Sequence, residues 1–113
     1  MFGEWRSIQF VENLAGGIPK QPGVYAIVRV RRVHALPVQM EMVYAGKSLD
    51  LRRRFREHVV PWRERNLRLR QADGSWEFWY RKLPALDLDR IERDIIRQAL
   101  PPGNVLQYQE KPQ

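Results

Sequence analysis

The chain has 113 residues, 43% of them hydrophobic and 29% charged, and no cysteine, a composition that suits one globular domain spanning residues 1–113 and excludes disulfide frameworks, thiolate metal sites and cysteine nucleophiles. No apolar run approaches the ~20 residues a bilayer crossing needs. The opening MFGEWRSIQF lacks the basic-then-apolar order of a secretory leader, so the expectation is a cytoplasmic protein without membrane contact. Twenty Lys and Arg against thirteen Asp and Glu give a net charge of +7, and the cations concentrate between Arg52 and Arg70, interleaved with Phe55, Trp62 and Leu67. Such a balance attracts polyanions, nucleic acid above all.

Residues 1–21 carry Trp5, Ile8, Phe10, Val11 and Leu14 before Gly16-Gly17, which reads as a packing arm whose helix or strand character stays open. Val24 to Val30 is β-branched on both faces, with Val24, Ala26, Val28 and Val30 one way and Tyr25 and Ile27 the other, as in a central strand. Met40 to Ala45 forms a second strand with Met40, Met42 and Tyr44 on one face. Joined as a hairpin through a basic loop at Arg31 to Pro37, the two strands place Tyr25 roughly opposite Tyr44, so that the phenols share a face. Gly46 breaks the strand, and Ser48 or Asp50 can cap a helix from Leu51 to His58 or beyond. On that helix Leu51, Phe55, His58, Val59 and Trp62 form one arc with Arg54 at its edge, while Arg52, Arg53 and Arg56 point elsewhere. Pro61 to Gln71 is basic helix or loop, and Asp73-Gly74 is a turn.

Trp76 to Leu83 alternates Trp76, Phe78 and Tyr80 against Trp79 and Leu83, which makes a third strand. A second helix runs from Leu88 to Leu100, capped by Asp87 and stopped by Pro101-Pro102-Gly103. Its apolar arc of Leu88, Ile91, Ile95, Ile96, Ala99 and Leu100 contains Glu92. A carboxylate aimed at a core costs several kcal/mol, on the order of the effective burial penalty of an ion, unless a cation meets it. A cation is therefore expected beside Glu92. Residues 107–113 read as a frayed polar tail. The fold class is α+β: a small three-stranded antiparallel sheet flanked by helices.

Taken in order, Gly23-Val24-Tyr25, Tyr44-Ala45-Gly46 with Lys47, Arg54 ten residues after Tyr44, His58, Glu92 and Asn104 resemble the GIY-YIG nuclease superfamily. Its members include the N-terminal cleavage module of the bacterial excision-repair nuclease, homing endonucleases and some restriction enzymes. Val24 and Ala45 replace the isoleucines of the name, and the hairpin between the tyrosines is longer than in the shortest members. Alone, each tripeptide is a chance match and each residue has an ordinary structural role; the ordered set carries the resemblance.

The resemblance implies a divalent-metal-dependent endonuclease that hydrolyses DNA phosphodiester bonds. Glu92 is the implied ligand of one Mg²⁺ or Mn²⁺, an ion that keeps several waters and needs few carboxylates. Tyr25 is the implied general base; a free phenol titrates near ~10, so it has to be depressed by Lys47, Arg54 or His58 or act through a relay. Tyr44 would position water or a phosphate oxygen, Arg54 would hold the scissile phosphate with its fork of donors, and His58 would carry a proton or orient a tyrosine. Arg52, Arg53, Arg56, Arg63 and Asn104 are the expected nucleic-acid contacts. The alternative is a non-catalytic or partner-dependent nucleic-acid-binding module of the same fold. RNA as the substrate, and a homodimer or a partner protein, stay open.

Overall fold

The computed structural model describes residues 4–65 and 75–104 and, for residues 61–65 and 75, the backbone alone. The chain runs β1 (Arg6–Gln9), a 3-10 turn (Glu12–Gly17), β2 (Gly23–Val33), β3 (Leu36–Ser48), α1 (Leu51–Arg65), β4 (Ser75–Lys82), a second 3-10 turn (Ala85–Asp87) and α2 (Leu88–Ala99). The strands form one antiparallel sheet in the order β1-β4-β2-β3. It has four strands rather than the expected three, because part of the N-terminal arm joins it: Ile8 pairs with Phe78 across the β1–β4 ladder. Four residues with a weak pattern form a strand only once an edge is present to pair with, and that edge comes from β4, far along the chain.

β2 is the central strand, buried along Val24–Val28 and at Val30, and its alternation separates two cores. Tyr25 and Ile27 join Phe78, Tyr80, Phe10, Ile18 and the α1 residues Leu51, Phe55 and Val59. Val24 packs with Leu83 and the α2 residues Leu88, Ile91 and Ile95, while Ala26, Val28 and Val30 meet Met42 and Trp79. The face containing Tyr25 is therefore the α1 face, and the face containing Val24 is the α2 face. Phe10, Phe55, Phe78 and Tyr25 interlock at ring-centroid distances of 5.1–5.9 Å, both stacked and edge-on.

Three local expectations change. The region Arg31 to Pro37 is strand on both sides of a two-residue turn at His34 and Ala35, whose φ values of 49° and 68° are those of the tight turns that match strand twist. Neither residue is the Asn-Gly or Asp-Gly that announces such a turn. A bulge at Val43, where Ile27 pairs with Tyr44 but Val28 with Met42, breaks the alternation of β3. Met40 and Met42 consequently lie on the α2 face and Tyr44 on the α1 face, and the residue opposite Tyr25 is Gly46, not Tyr44. The phenols nonetheless share a face, with ring centroids 6.2 Å apart.

Asp50 caps α1, its Oδ1 accepting from the Arg53 amide at 3.0 Å, while the Ser48 hydroxyl accepts from the Asp50 amide at 3.0 Å. Asp87, by contrast, makes no side-chain cap for α2; its carboxylate accepts from Arg90 at 3.4 Å. Among the described residues no helix is long and apolar enough to cross a membrane. Residues 107–113 and the Asp73-Gly74 turn lie outside the described residues.

Candidate functional site

Two groups of polar side chains stand on the two faces of the β2–β3 hairpin, and each is organised by one helix. On the α1 face the Tyr25 hydroxyl is the hub. Arg54 Nε donates to it at 3.2 Å and His58 Nε2 lies 3.0 Å away. One turn of α1 separates Arg54 from His58, and the capped first turn with Leu51 and Phe55 in the core fixes the rotation of both toward β2. With Arg54 donating, the phenol is free to donate to the His58 imidazole in its Nδ1–H tautomer. Tyr44 lies alongside, its ring 5.7 Å from that of His58.

Glycine at position 46 is what permits this hub. A β-carbon there would fall 2.5 Å from the Tyr25 hydroxyl oxygen, so the Tyr25 ring lies across the backbone of the opposite strand. Gly23 is needed for a different approach, since a β-carbon would meet the Arg81 carbonyl oxygen at 2.4 Å and the Leu51 side chain at 2.6 Å. Both glycines of the paired motifs thus have packing reasons.

The Tyr25 side chain is fully buried. Burial pushes its phenol well above the ordinary value, the neighbouring Tyr44 raises it further, and the Arg54 hydrogen bond and charge only partly oppose this. Of the two expected routes, depression or a relay, the first is not what the site provides: one guanidinium does not offset the desolvation of an enclosed phenolate. Arg54 is in turn held more firmly cationic, chiefly by its bond to Tyr25. Its Nη1 donates to Glu57 at 3.2 Å, while Nη2 has no protein partner among the described residues.

On the α2 face Lys47 reaches two carboxylates of α2. Its ammonium donates to Asp89 and lies 3.6 Å from Glu92 Oε1. Strand alternation puts Lys47, which pairs with Val24, on the opposite face from Tyr25. Lys47 is the cation that the inward spacing of Glu92 called for. Glu92 is not in the core, however: its side chain is 22% exposed, and Ile96 beside it is also only half-buried. The arc of α2 lies at the rim of the sheet and covers it incompletely, leaving a cleft lined by Lys47, Asp89, Glu92, Arg93, Ile96 and Arg97. The ammonium holds the Asp89 carboxyl below the usual carboxylate range, and the hydrogen bond to Asp89 raises Lys47.

The segment after α2 joins the two faces at the β3 edge. Leu100 adopts a left-handed conformation, and Asn104 then lies buried with its Oδ1 accepting from the Ala45 amide and its Nδ2 donating to the Ala45 carbonyl, both at 2.8 Å. Asn104 is accordingly a backbone clamp on the Tyr44-Ala45-Gly46 strand, not a group open to a nucleic acid. Arg52 is likewise committed to protein, its Nε donating to Ile18 O at 2.7 Å and Nη2 to Gly16 O at 3.0 Å. Its helix position turns it onto the 3-10 turn instead of to solvent. Arg53 is exposed and pairs with Glu57 at 3.3 Å, Arg56 is exposed, and the side chain of Arg63 lies outside the described residues.

The structure thus brings Tyr25, Tyr44, Arg54 and His58 into one group and Lys47 and Glu92 into another. Sequence reasoning passed over Glu57, which holds Arg54 from one turn away, and Asp89, which shares Lys47 with Glu92. The three-residue spacing of Asp89 and Glu92 was the available signal for the second. No group of three or more carboxylates and imidazoles with metal-binding geometry occurs among the described residues. Asp89 and Glu92 do converge on one cation, the Lys47 ammonium, so their hard oxygen donors fit a hard divalent ion at that cleft.

The chain is 30% identical over 95 residues to UvrABC system protein C of Haloarcula marismortui. The match covers 84% of this chain and 15% of the relative, so the chain spans a small part of that protein's length. No family model matches the chain. No solved structure matches it.

Proposed function

We propose that this chain is a nuclease domain that hydrolyses DNA phosphodiester bonds with the help of one divalent ion. The observation that carries the reading is the convergence of Arg54 Nε and His58 Nε2 on the Tyr25 hydroxyl, beneath a strand that only glycine at position 46 allows. The ordered motifs, the likeness to UvrABC system protein C and the net charge of +7 support it.

Hydrolysis adds water to phosphorus and breaks the bond to the 3′ oxygen, giving a 5′-phosphate and a 3′-hydroxyl. Arg54 Nη2 would donate to a phosphate oxygen, its planar fork stabilising the charge that develops there. The raised phenol is neutral near pH 7 and shut away from water, so Tyr25 would hold Arg54 and orient His58 through its hydroxyl, and the half-exposed His58 would take the proton from water. Tyr44 would orient that water. Glu92, with Asp89 beside it, would hold Mg²⁺ or Mn²⁺ in place of the Lys47 ammonium on the other face of the hairpin, and a phosphate would have to reach round the β3 edge to receive that charge together with the Arg54 contact.

Cleavage of plasmid and branched DNA with Mg²⁺ or Mn²⁺, comparing the wild type with Glu92→Ala and Arg54→Ala, tests the proposal. Products from the wild type alone support it, and equal activity in all three refutes it. A second reading, a nucleic-acid-binding module of the same fold that does not cut, draws on the position of Lys47, whose ammonium stands where the ion would sit. Salt-sensitive binding without metal-dependent products selects that reading.

A further inference from the structure

Among the described residues the β2–β3 hairpin runs beyond its pairing with β4: the β2–β4 ladder is described as far as Val30, opposite Ser75, and the hairpin ladder runs on to Val33 opposite Leu36. Every residue from Arg31 to Met40 is exposed, including four large aliphatic ones: Val33 at 46%, Leu36 at 65%, Val38 at 46% and Met40 at 53%. Exposed aliphatics gathered on a projecting tip call for an occupant.

The tip is also braced. Arg32 donates through Nε and Nη2 to the two oxygens of Glu77 at 2.9 and 3.0 Å, and through Nη1 to the carbonyl of Ala35 in the turn at 3.0 Å. Glu77 is buried at 5% exposure on β4 and also accepts from the Trp79 indole at 3.1 Å. A buried carboxylate thus fastens the turn to the sheet and holds the arm in one orientation.

Two occupants are compatible with an exposed aliphatic ribbon: a second copy added along the β3 edge, or a polyanion with apolar faces. The edge argues against the copy. Bulges at Val43 and Val38 interrupt its hydrogen-bonding register, and Pro37 lacks an amide to donate. The charge argues for the polyanion. Arg29 pairs with Glu41 and Arg32 with Glu77, which leaves Arg31 as the exposed arginine of the hairpin with no acidic partner among the described residues. Alternation along β2 is unbroken, so Tyr25, Ile27, Arg29 and Arg31 share the α1 face. Six residues at ~3.3 Å each place Arg31 roughly 20 Å from Tyr25, about six nucleotide steps of a strand at ~3.4 Å.

We infer that the projecting β2–β3 ribbon is a nucleic-acid arm that extends the Tyr25–Arg54 site: Arg31 takes a backbone phosphate about six nucleotides from the cut, and the Leu36 and Val38 tip packs against unstacked bases. The inference rests on the proposed nuclease reading. It makes DNA that is unstacked near the cut the preferred substrate over plain duplex.

The experiment measures binding of the full chain to labelled plain duplex and labelled three-way junction across a salt series in EDTA, and in parallel cleavage with Mn²⁺, for wild type, Arg31→Gln, Leu36→Ser and Val38→Ser. Wild type is expected to prefer the junction. Arg31→Gln lowers the slope of log K against log salt by about one on both DNAs. Leu36→Ser and Val38→Ser each lower junction affinity about tenfold, as the loss of one apolar base contact does, and leave duplex affinity unchanged. The substituted side chains are exposed, so unfolding midpoints stay at the wild-type value, and two tip variants guard against one misfolding. Wild type that neither binds nor cuts DNA refutes the nuclease reading. Wild type that binds or cuts DNA, with all three variants matching it, overturns the arm alone, as does sedimentation showing that the tip variants abolish self-association while DNA binding persists.

Discussion

The two faces of the β2–β3 hairpin carry polar groups built on opposite physical plans. On the α1 face a fully buried phenol is held by a half-exposed arginine and histidine, and the order comes from aromatic packing. On the α2 face a half-exposed lysine pairs with two carboxylates at the rim, with little packing around them. The buried group is rigid and expensive to perturb, whereas the rim group stands open to water. Under the proposed function that division would suit a site in which proton handling needs fixed geometry and ion binding needs access.

The largest contrast is expected in activity. If the α1 face handles protons and phosphate, Tyr25→Phe and Arg54→Ala each lower metal-dependent cleavage by about 10²–10⁴-fold, the range of one general acid–base group. Glu92→Gln should match them in activity while leaving the urea midpoint unmoved. Tyr25→Phe should lower that midpoint, because it strips the shared partner from Arg54 and His58. Equal stability losses in both variants would erase the distinction between the faces.

Next in size are changes in the scaffold between them. Gly46→Ala drives a methyl to within 2.5 Å of the Tyr25 oxygen and is expected to cost about 1–3 kcal/mol, the usual cost of overpacking, seen in chemical denaturation. Asn104→Ala leaves the Ala45 amide and carbonyl without their partners at the strand edge and costs about 1–3 kcal/mol. A variant as stable as wild type at either position would mean that the hub tolerates a shifted β3.

A pH titration separates the faces more finely. The folded phenol of Tyr25 is raised above its unfolded value of 10.0. Between those two values the unfolded chain has released the proton and the folded chain still holds it, so stability falls as pH rises beyond about 10. The slope reaches at most ~1.4 kcal/mol per pH unit for this one group. Tyr25→Phe removes that component, and a wild-type minus variant stability difference that stays flat from pH 9 to 11 would contradict an enclosed, protonated phenol.

The smallest effect belongs to the rim. Asp89→Asn weakens the hold on Lys47 and is expected to change the half-saturating Mn²⁺ concentration severalfold, with no change in unfolding midpoint. A loss of activity as large as that of Glu92→Gln would instead make Asp89 a ligand in its own right.

Sequence alone determined the elements with strong periodicity: the central strand with its two faces, the aromatic strand with Phe78 and Tyr80, and α1 with Arg54 and His58 one turn apart. These follow from spacing, which local geometry enforces wherever the chain goes. Tertiary structure decided the rest. β1 exists because β4 offers an edge, and the bulge at Val43 reassigns Met40 and Met42 to the other face. The roles of Arg52 and Asn104 turned on which backbone groups came within their reach, Gly16 and Ile18 for one and Ala45 for the other. The direction of the Tyr25 shift was equally illegible in advance, because it depends on how completely water is excluded around one oxygen, and only the packing of three elements and a glycine settles that.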